Sequence, residues 1–277
     1  MAEEILDKES ITIQNLISLH DKNLIEAFLR QNIYLHIYSI GDLDDFFWKH
    51  TFWYALEKNG AIKAIILLYI GSNLPTILAL AHDIGYMKEL LSSVVPFLPK
   101  IFYAHLTPGL EDMLAKYFIL KSHGGHYKMA LKNKSAVDNV DTTNVDSLSV
   151  NDINQILEIY KISYPDNWFN ERMLLTGQYF GAKEKNKLIS IAGVHVFSQE
   201  YSVAALGNIT THPNHRGKGY GKATVAKLCK SLCGKIDHIG LNVKADNNAA
   251  IALYEKLGFE TICTYNEYMV EAKLNSS

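Results

Sequence analysis

Two spacings of apolar residues alternate along this chain. Short, nearly continuous apolar runs predict strands over Ala64–Ile70, Thr76–Ala81, Lys100–Leu106 and His126–Leu131 in the first half. In the second half they predict strands over Leu188–Phe197, Ser202–Thr210, His238–Val243, Phe259–Thr264 and Tyr265–Val270. Leu188–Phe197 and Ser202–Thr210 read as an antiparallel pair joined by a tight turn, and the last two as a terminal strand pair. Helical spacing takes over between these runs. Ile153, Ile156, Leu157 and Tyr160 share one face of a helix predicted over Asn151–Ile162, with Ser149 as its N-cap. A short helix follows at Asn170–Thr176. Val225, Leu228, Cys229 and Leu232 face inward from a helix over Gly221–Cys233, and Asn248–Leu257 ends at a cap glycine, Gly258.

The order of these elements repeats. In each half an apolar strand, a short turn and a second strand are followed by a third strand, a turn, a helix carrying a tyrosine (Tyr117, then Tyr254) and a closing strand. The polar stretch KNKSAVDNVDTTN at 132–144 separates the two series and reads as a linker. The division expected is residues 1–137 and 138–277, two α+β domains of the same pattern, each a mixed, mainly antiparallel sheet flanked by helices.

Composition narrows the class. A length of 277 residues suits two cores better than one, and 48% hydrophobic with 20% charged residues is ordinary for a soluble protein. A formal net charge of −2 leaves no basic face for nucleic acid or an anionic membrane. The acidic start MAEEILDKES has no apolar signal segment, and the apolar run near Ala61–Ile70 contains Lys63 and is too short to span a bilayer. Cys229 and Cys233 lie one helical turn apart and Cys263 stands alone. Without a second ligand pair at zinc spacing they read as small core residues in a reducing compartment, and no metal is expected. A cytoplasmic protein follows from these readings.

The chemistry-bearing segment is Ile209-Thr210-Thr211-His212-Pro213-Asn214-His215-Arg216-Gly217-Lys218-Gly219-Tyr220-Gly221-Lys222. It runs from a strand through a glycine-rich turn into a helix. Alternating glycines leave backbone amides unscreened, and the helix start adds its own amides and the positive end of its dipole, so the turn suits a pyrophosphate. Taken alone, the same glycines suit any tight turn. A second segment, Leu241 to Phe259, lies one helix further on and contains Asn247, Ala250-Ile251, Leu253-Tyr254 and Gly258-Phe259. By helical spacing alone Tyr254 reads as a core tyrosine beside Ala250, Leu253 and Leu257.

Together, His212-Pro213-x-x-Arg216-Gly-Lys-Gly-Tyr-Gly221 and Asn247 through Phe259 resemble the GNAT superfamily of acyl-CoA-dependent N-acyltransferases over about residues 146–271, and more weakly its glycine N-acyltransferase-like subgroup. The resemblance implies two tandem GNAT-like domains and acetyl-CoA as co-substrate. Ile209, Thr210 and Thr211 would lie along the pantetheine arm, with backbone groups of Ile209 and Thr211 pairing with it as an added strand would. Gly217, Lys218, Gly219, Tyr220, Gly221 and Lys222 would hold the pyrophosphate by their amides, with Arg216 opening the signature. Asn247 would contact the arm, and Tyr254 would protonate the leaving thiolate. Many relatives carry a glutamate on the strand before the Asn–Tyr helix; here that strand reads Leu241-Asn242-Val243, and Asn242 cannot act as a base. His195, Glu200 and His212 are candidates for a base acting through water, and the role stays unassigned.

The first half has only His82-Asp83-Ile84-Gly85-Tyr86-Met87-Lys88 after the corresponding strand, with one glycine in place of three. Leu110 stands seven residues before Tyr117, where the second half has Asn247 before Tyr254. This half is therefore expected to be a degenerate copy that binds no coenzyme A and lines an acceptor pocket at the junction. Its segment Lys121–Lys128, rich in His and Gly, reads as a turn before the last strand, with metal binding or substrate contact as the alternative. The expected activity is acetyl transfer to the amine of a small molecule or amino acid. A non-catalytic acyl-CoA-binding or scaffold module is the alternative.

Overall fold

A computed structural model describes residues 16–273; the acidic N-terminal segment read above lies outside them. The first half comprises β1 (Leu16–Leu19), α1 (Lys22–Leu29), α2 (Ile33–Gly41), α3 (Asp45–Trp48), β2 (Thr51–Lys58), β3 (Ala61–Tyr69), β4 (Thr76–Ala79), α4 (Ile84–Val94), β5 (Ile101–Leu106), α5 (Glu111–Ala115) and β6 (Phe118–Leu131). The second comprises α6 (Ser135–Asp138), β7 (Val145–Ser147), α7 (Ile153–Ser163), β8 (Phe180–Glu184), β9 (Lys187–Ser198), β10 (Val203–Thr211), α8 (Tyr220–Leu232), β11 (His238–Lys244), α9 (Asn248–Lys256) and β12 (Phe259–Ala272).

The same local chemistry builds both series. The hairpins β2–β3 and β8–β9 turn on two residues, Asn59-Gly60 and Lys185-Asn186, each with both φ angles positive. Such turns match the right-handed twist of the strands they join. Ser149 closes a capping box with Asp152 before α7, as its position suggested. Strands β2 and β8 were not singled out in the sequence because Tyr54–Gly60 and Phe180–Asn186 mix polar with apolar residues.

All strands form one 12-stranded sheet in the order β1-β2-β3-β4-β5-β12-β6-β11-β10-β9-β8-β7. The two halves exchange their last strands. β6 leaves the first half to pair with β11, and β12 returns from the second half to pair with β5. Between them, β6 and β12 form an antiparallel pair from Phe259↔Leu131 to Ala272↔Phe118. The expected terminal strand pair is thus one strand of 14 residues. Nothing at Thr264-Tyr265 turns the chain, and its irregularities are absorbed as bulges at Thr261/Cys263 and Glu267/Tyr268. The expected turn at Lys121–Lys128 is likewise strand: Gly124, at φ 90°, sits in a bulge of β6. The segment 132–144 is less linker-like than its composition suggests, since α6 inserts Val137, fully buried, into the second core.

The exchange ties the cores together. Val270, near the end of β12, is fully buried in the core of the first half with Ile66, Leu90 and Phe102. Tyr201 and Val203 of the second half pack with Ile25, Leu29 and Ile40. Arg30 donates to the Tyr201 carbonyl at 2.9 Å, and Ser198 to Asp44 Oδ2 at 2.7 Å. Val270→Ala should therefore cost about 2 kcal/mol, in the range of buried aliphatic truncations. Urea unfolding should remain one transition with a lowered midpoint; two separated transitions would mean that the halves unfold independently.

Candidate active site

Two pairs of neighbouring strands run parallel, β4–β5 and β10–β11, one in each half. β10 and β11 are paired from Val203↔His238 to Leu206↔Leu241 and then part, although β10 continues to Thr211 and β11 to Lys244. A wedge opens between them. The divergence follows from a bulge in β10 between Gly207 and Thr210, where Asn208 adopts φ 54°. Tyr160 fixes this bulge by donating to the Asn208 carbonyl at 2.8 Å, and Asn208 Nδ2 donates to the Tyr179 hydroxyl at 3.0 Å.

At the wide end of the wedge stands the glycine turn. Gly217 and Gly219 hold φ 75° and 90°, and a Cβ at either would meet nothing within 4 Å. Gly219 is the N-cap of α8 and supplies no side-chain cap. The amides from Gly217 to Lys222 find no protein acceptor among the described residues, and Lys218 and Lys222 make no ion pair among them. These are the conditions for an anion at a helix N-terminus. A cleft of about 230 Å³ adjoins the turn, bordered by Asp141, Asn144, Val145, Lys218, Gly219 and Tyr220. Arg216 Nε donates to the Thr211 carbonyl at 3.1 Å, so its guanidinium braces the strand–turn junction. Tyr220 donates to Glu184 Oε1, and His215 lies 3.1 Å from Glu184 Oε2. Those two contacts hold the Glu184 carboxyl below the usual carboxylate range. The helix start is anchored by Thr224, which donates to Ser190 Oγ at 3.1 Å, and by Ser190 and Thr211, whose hydroxyls lie 2.9 Å apart. Ile209 packs against the second core, and Thr210 Oγ1 reaches the Ser163 carbonyl at 3.5 Å.

From β11, Asn247 caps α9, its Oδ1 accepting from the Ala250 amide at 3.2 Å. Tyr254 is buried in the core that also holds Val243 and Leu257, its ring 5.8 Å from that of Phe259. Burial, reinforced by Tyr164, pushes its phenol well above the ordinary tyrosine range, so it is a proton donor at neutral pH. Of the three base candidates, Glu200 is exposed in the turn after β9 and His212 caps the short 3₁₀ turn at Pro213. His195 lies against the first half, its ring 6.2 Å from that of Tyr38.

The first half lacks each of these features. β4 and β5 stay paired to their ends at Ala79↔Leu106, and beyond them Thr107 clasps the strands. Its amide donates to the Ala79 carbonyl at 3.1 Å, and its hydroxyl accepts from the Ala81 amide at 3.0 Å. The N-terminus of α4 is filled by its own carboxylate: Asp83 Oδ1 accepts from the amides of Gly85 and Tyr86. Leu110 caps α5 where Asn247 caps α9. Tyr117 is not on that helix, which ends at Ala115; it is 46% exposed, so the expected match to Tyr254 does not hold in space.

The sequence profile of the acetyltransferase (GNAT) family matches residues 150–259. The C-terminal region is a GNAT-family domain. This domain is 28% identical over 110 residues to the N-alpha-acetyltransferase RimI of Mycobacterium tuberculosis, covering 38% of this chain and 66% of that protein. It is 39% identical over 51 residues to an acetyltransferase of Yersinia pestis, covering 18% of this chain and 36% of that protein. The chain thus spans about two thirds or less of the length of these relatives. In fold, it matches a tandem GNAT protein of the clavulanic acid biosynthesis pathway (TM-score 0.55, 12% identity, 94% of this chain and 99% of that one). It also matches a Drosophila protein (TM-score 0.67, 12% identity, 93% and 98%). The fold is therefore that of two GNAT-like halves on one sheet.

A group of residues that the motif did not indicate lies where β5, β12 and β6 meet. Glu267 accepts from the hydroxyls of Tyr103 at 2.5 Å and Tyr265 at 2.6 Å. His105 and His126 lie 3.4 and 3.5 Å from its oxygens. Although burial opposes it, the neighbouring imidazoles and hydroxyls keep this carboxyl below its usual range. Lys128, also on β6, lies over the rings of Tyr38 and Tyr265 and donates to Asn242 Oδ1 at 3.3 Å. Burial pushes its ammonium down to about 8. The residue that departs from the family pattern, Asn242, thus anchors a lysine from the exchanged strand. The sequence did carry a signal for this group: Tyr103/His105, His126/Lys128 and Tyr265/Glu267 are pairs at spacing two within predicted strands, which places each pair on one sheet face.

Burial holds His36 and His105 down to about 3 and about 4. In the unfolded chain such imidazoles take up protons below about pH 6.5. The unfolded state then binds more protons than the native one, so stability should fall as pH drops from about 6.5 toward 4. Glu267, held low, adds to the loss below about pH 4.3. Urea midpoints measured across this window should decline steadily; a flat profile down to pH 4.5 would contradict the neutral, buried state of both imidazoles.

Proposed function

We propose that this chain is an acyl-CoA-dependent N-acyltransferase that moves an acetyl group from acetyl-CoA to the amine of a small molecule or amino acid. Residues 138–277 form the acyltransferase domain, and residues 1–137 form a GNAT-like domain without a coenzyme A loop. The observation that carries this reading is the wedge between β10 and β11 with an open amide turn at its wide end, where Leu253 of α9, next to Tyr254, packs against Gly221. The residues present fit the cofactor: unsatisfied amides from Gly217 to Lys222 for the pyrophosphate, the free edge of Ile209, Thr210 and Thr211 for the pantetheine arm, and Asn247 Nδ2 for the same arm. When bound, the thioester supplies the activated acetyl group. Tyr254 donates a proton to the departing sulfur from a site where water is scarce. The three free cysteines suit a reducing, cytoplasmic setting.

Asn242, bonded to Lys128 where a carboxylate would serve as base, favours a second reading: an acyl-CoA-binding module that performs no transfer. Thiol release from acetyl-CoA across a panel of primary amines and amino acids separates the two. Turnover with at least one amine supports transfer. Tight coenzyme A binding with no turnover on any of them supports the module.

A further inference from the structure

The glycine turn has little of its own to hold its shape. Gly217 and Gly219 stand at φ 75° and 90° and offer no side chain to pack. Glycine loses more backbone freedom on ordering than any other residue, so a turn with two of them is costly to order unless contacts outside it fix its ends. Glu184 makes such contacts. It is the last residue of β8, 31 and 36 positions from its two partners in the sequence. Its Oε2 lies 3.1 Å from Nε2 of His215, the last residue of the 3₁₀ turn Pro213–His215. Its Oε1 accepts at 3.1 Å from the hydroxyl of Tyr220, the first residue of α8. The residues between these partners are Arg216-Gly217-Lys218-Gly219, so one carboxylate joins the two ends of the turn. The two partner rings also meet edge to face, 6.2 Å apart. The Glu184 side chain is 45% exposed, so its removal opens no core cavity.

By charge alone a carboxylate is an unfavourable neighbour for a pyrophosphate, and a lysine would serve better. The first half has that lysine, where no such turn exists. Lys58 is the last residue of β2, one step before a two-residue hairpin turn, as Glu184 is of β8. Its ammonium lies 5.5 Å from the centre of the Tyr86 ring in the first turn of α4, and 2.6 Å from Glu89 of the same helix. Both hairpins thus reach the start of the helix that follows, with opposite charges. An ammonium has no acceptor for a histidine or tyrosine donor, whereas a carboxylate has two oxygens and can hold one donor on each. The hydrogen-bonding capacity of Glu184, not its charge, suits the place it occupies.

We propose that Glu184 is the positioning residue of the coenzyme A turn: by holding His215 and Tyr220 to one carboxylate it fixes the separation of the turn's ends, and with it the curve in which the amides from Gly217 to Lys222 converge on a pyrophosphate. A loop ordered before its ligand arrives binds more tightly, because less freedom is lost on binding. That gain outweighs the repulsion that the Glu184 charge brings. The inference rests on the acyl-CoA reading of the turn and adds the residue that shapes it.

Clasp and charge predict opposite signs. Calorimetric titration of coenzyme A into the full chain compares Glu184→Ala, which removes both, with Glu184→Gln, which removes the charge but keeps an acceptor for His215 and offers a donor to the Tyr220 oxygen. Glu184→Ala is expected to bind about tenfold more weakly, and Glu184→Gln to bind within about twofold of the unaltered chain or more tightly. In the ligand-free chain, the ¹⁵N order parameters of Lys218 and Gly219 should fall from the rigid range near about 0.85 toward about 0.6 in Glu184→Ala and hold in Glu184→Gln. Unchanged or tighter binding by Glu184→Ala, an equal loss in both variants, or order parameters that Glu184→Ala leaves in place would each overturn the proposal. Where Glu184→Ala fails to fold, Tyr220→Phe removes one arm of the clasp and should cost about threefold in affinity, and no loss there overturns the proposal equally. The order parameters need no cofactor, which keeps the two readings apart. An unaltered chain that binds no coenzyme A counts against the acyl-CoA reading, whereas intact affinity with a turn indifferent to Glu184 counts against the clasp alone.

Discussion

Gly219→Asp should weaken acetyl-CoA binding by about 100-fold or more while leaving the protein folded. The position sits at φ 90° with open space where a side chain would begin, so the new carboxylate meets no steric obstacle and projects into the turn. Two effects then act together. The left-handed backbone costs a non-glycine residue about 1–2 kcal/mol, though less for aspartate than for most. A carboxylate within a few ångströms of a pyrophosphate adds roughly 1–4 kcal/mol of repulsion at a partly exposed site. The first half already shows the outcome of filling such a position, because Asp83 satisfies the amides that begin α4. Calorimetric titration with acetyl-CoA, alongside thermal unfolding, measures both quantities. Native-like affinity in a folded Gly219→Asp chain would remove the pyrophosphate from this turn.

Tyr254→Phe should lower kcat by about 10²-fold or more, the usual worth of a positioned acid, and leave acetyl-CoA affinity within about twofold. The ring is what the core uses: it lies 5.8 Å from Phe259 and inside the cluster with Val243 and Leu257, and phenylalanine preserves those contacts. In the proposed reaction the hydroxyl supplies the proton, which would otherwise have to come from water at a buried site. The two parameters are read from steady-state kinetics and an independent binding titration. An unchanged kcat would reduce Tyr254 to a core residue, and a parallel fall in affinity would assign it to binding.

What could be read from the chain and what could not divides along physical lines. The glycine turn, the Asn247 cap and the helix bearing Tyr254 were legible because each depends on residues within one turn or one helix of each other. The contrast between the two helix starts was legible at His82–Lys88, where one glycine stands in place of three, and the structure adds that Asp83 and Thr107 fill and clasp the places that the second half leaves open. The strand exchange was not legible. β6 and β12 read as ordinary closing strands, and nothing local tells a strand which sheet to join. Treating 259–264 and 265–270 as two strands followed from expecting each half to close on itself. The Glu267 group stayed hidden for the same reason, since its contact with Tyr103 spans 164 positions in the sequence.

The proposed function places one acyl-CoA site on this two-half fold, in the second half. Calorimetric stoichiometry of coenzyme A on the full chain tests it most directly, with hydrogen exchange to locate the protected amides. One equivalent per chain is expected, with protection concentrated on Gly217–Lys222 and none gained at Ile84–Tyr86. Two equivalents, or protection at the start of α4 instead, would contradict it.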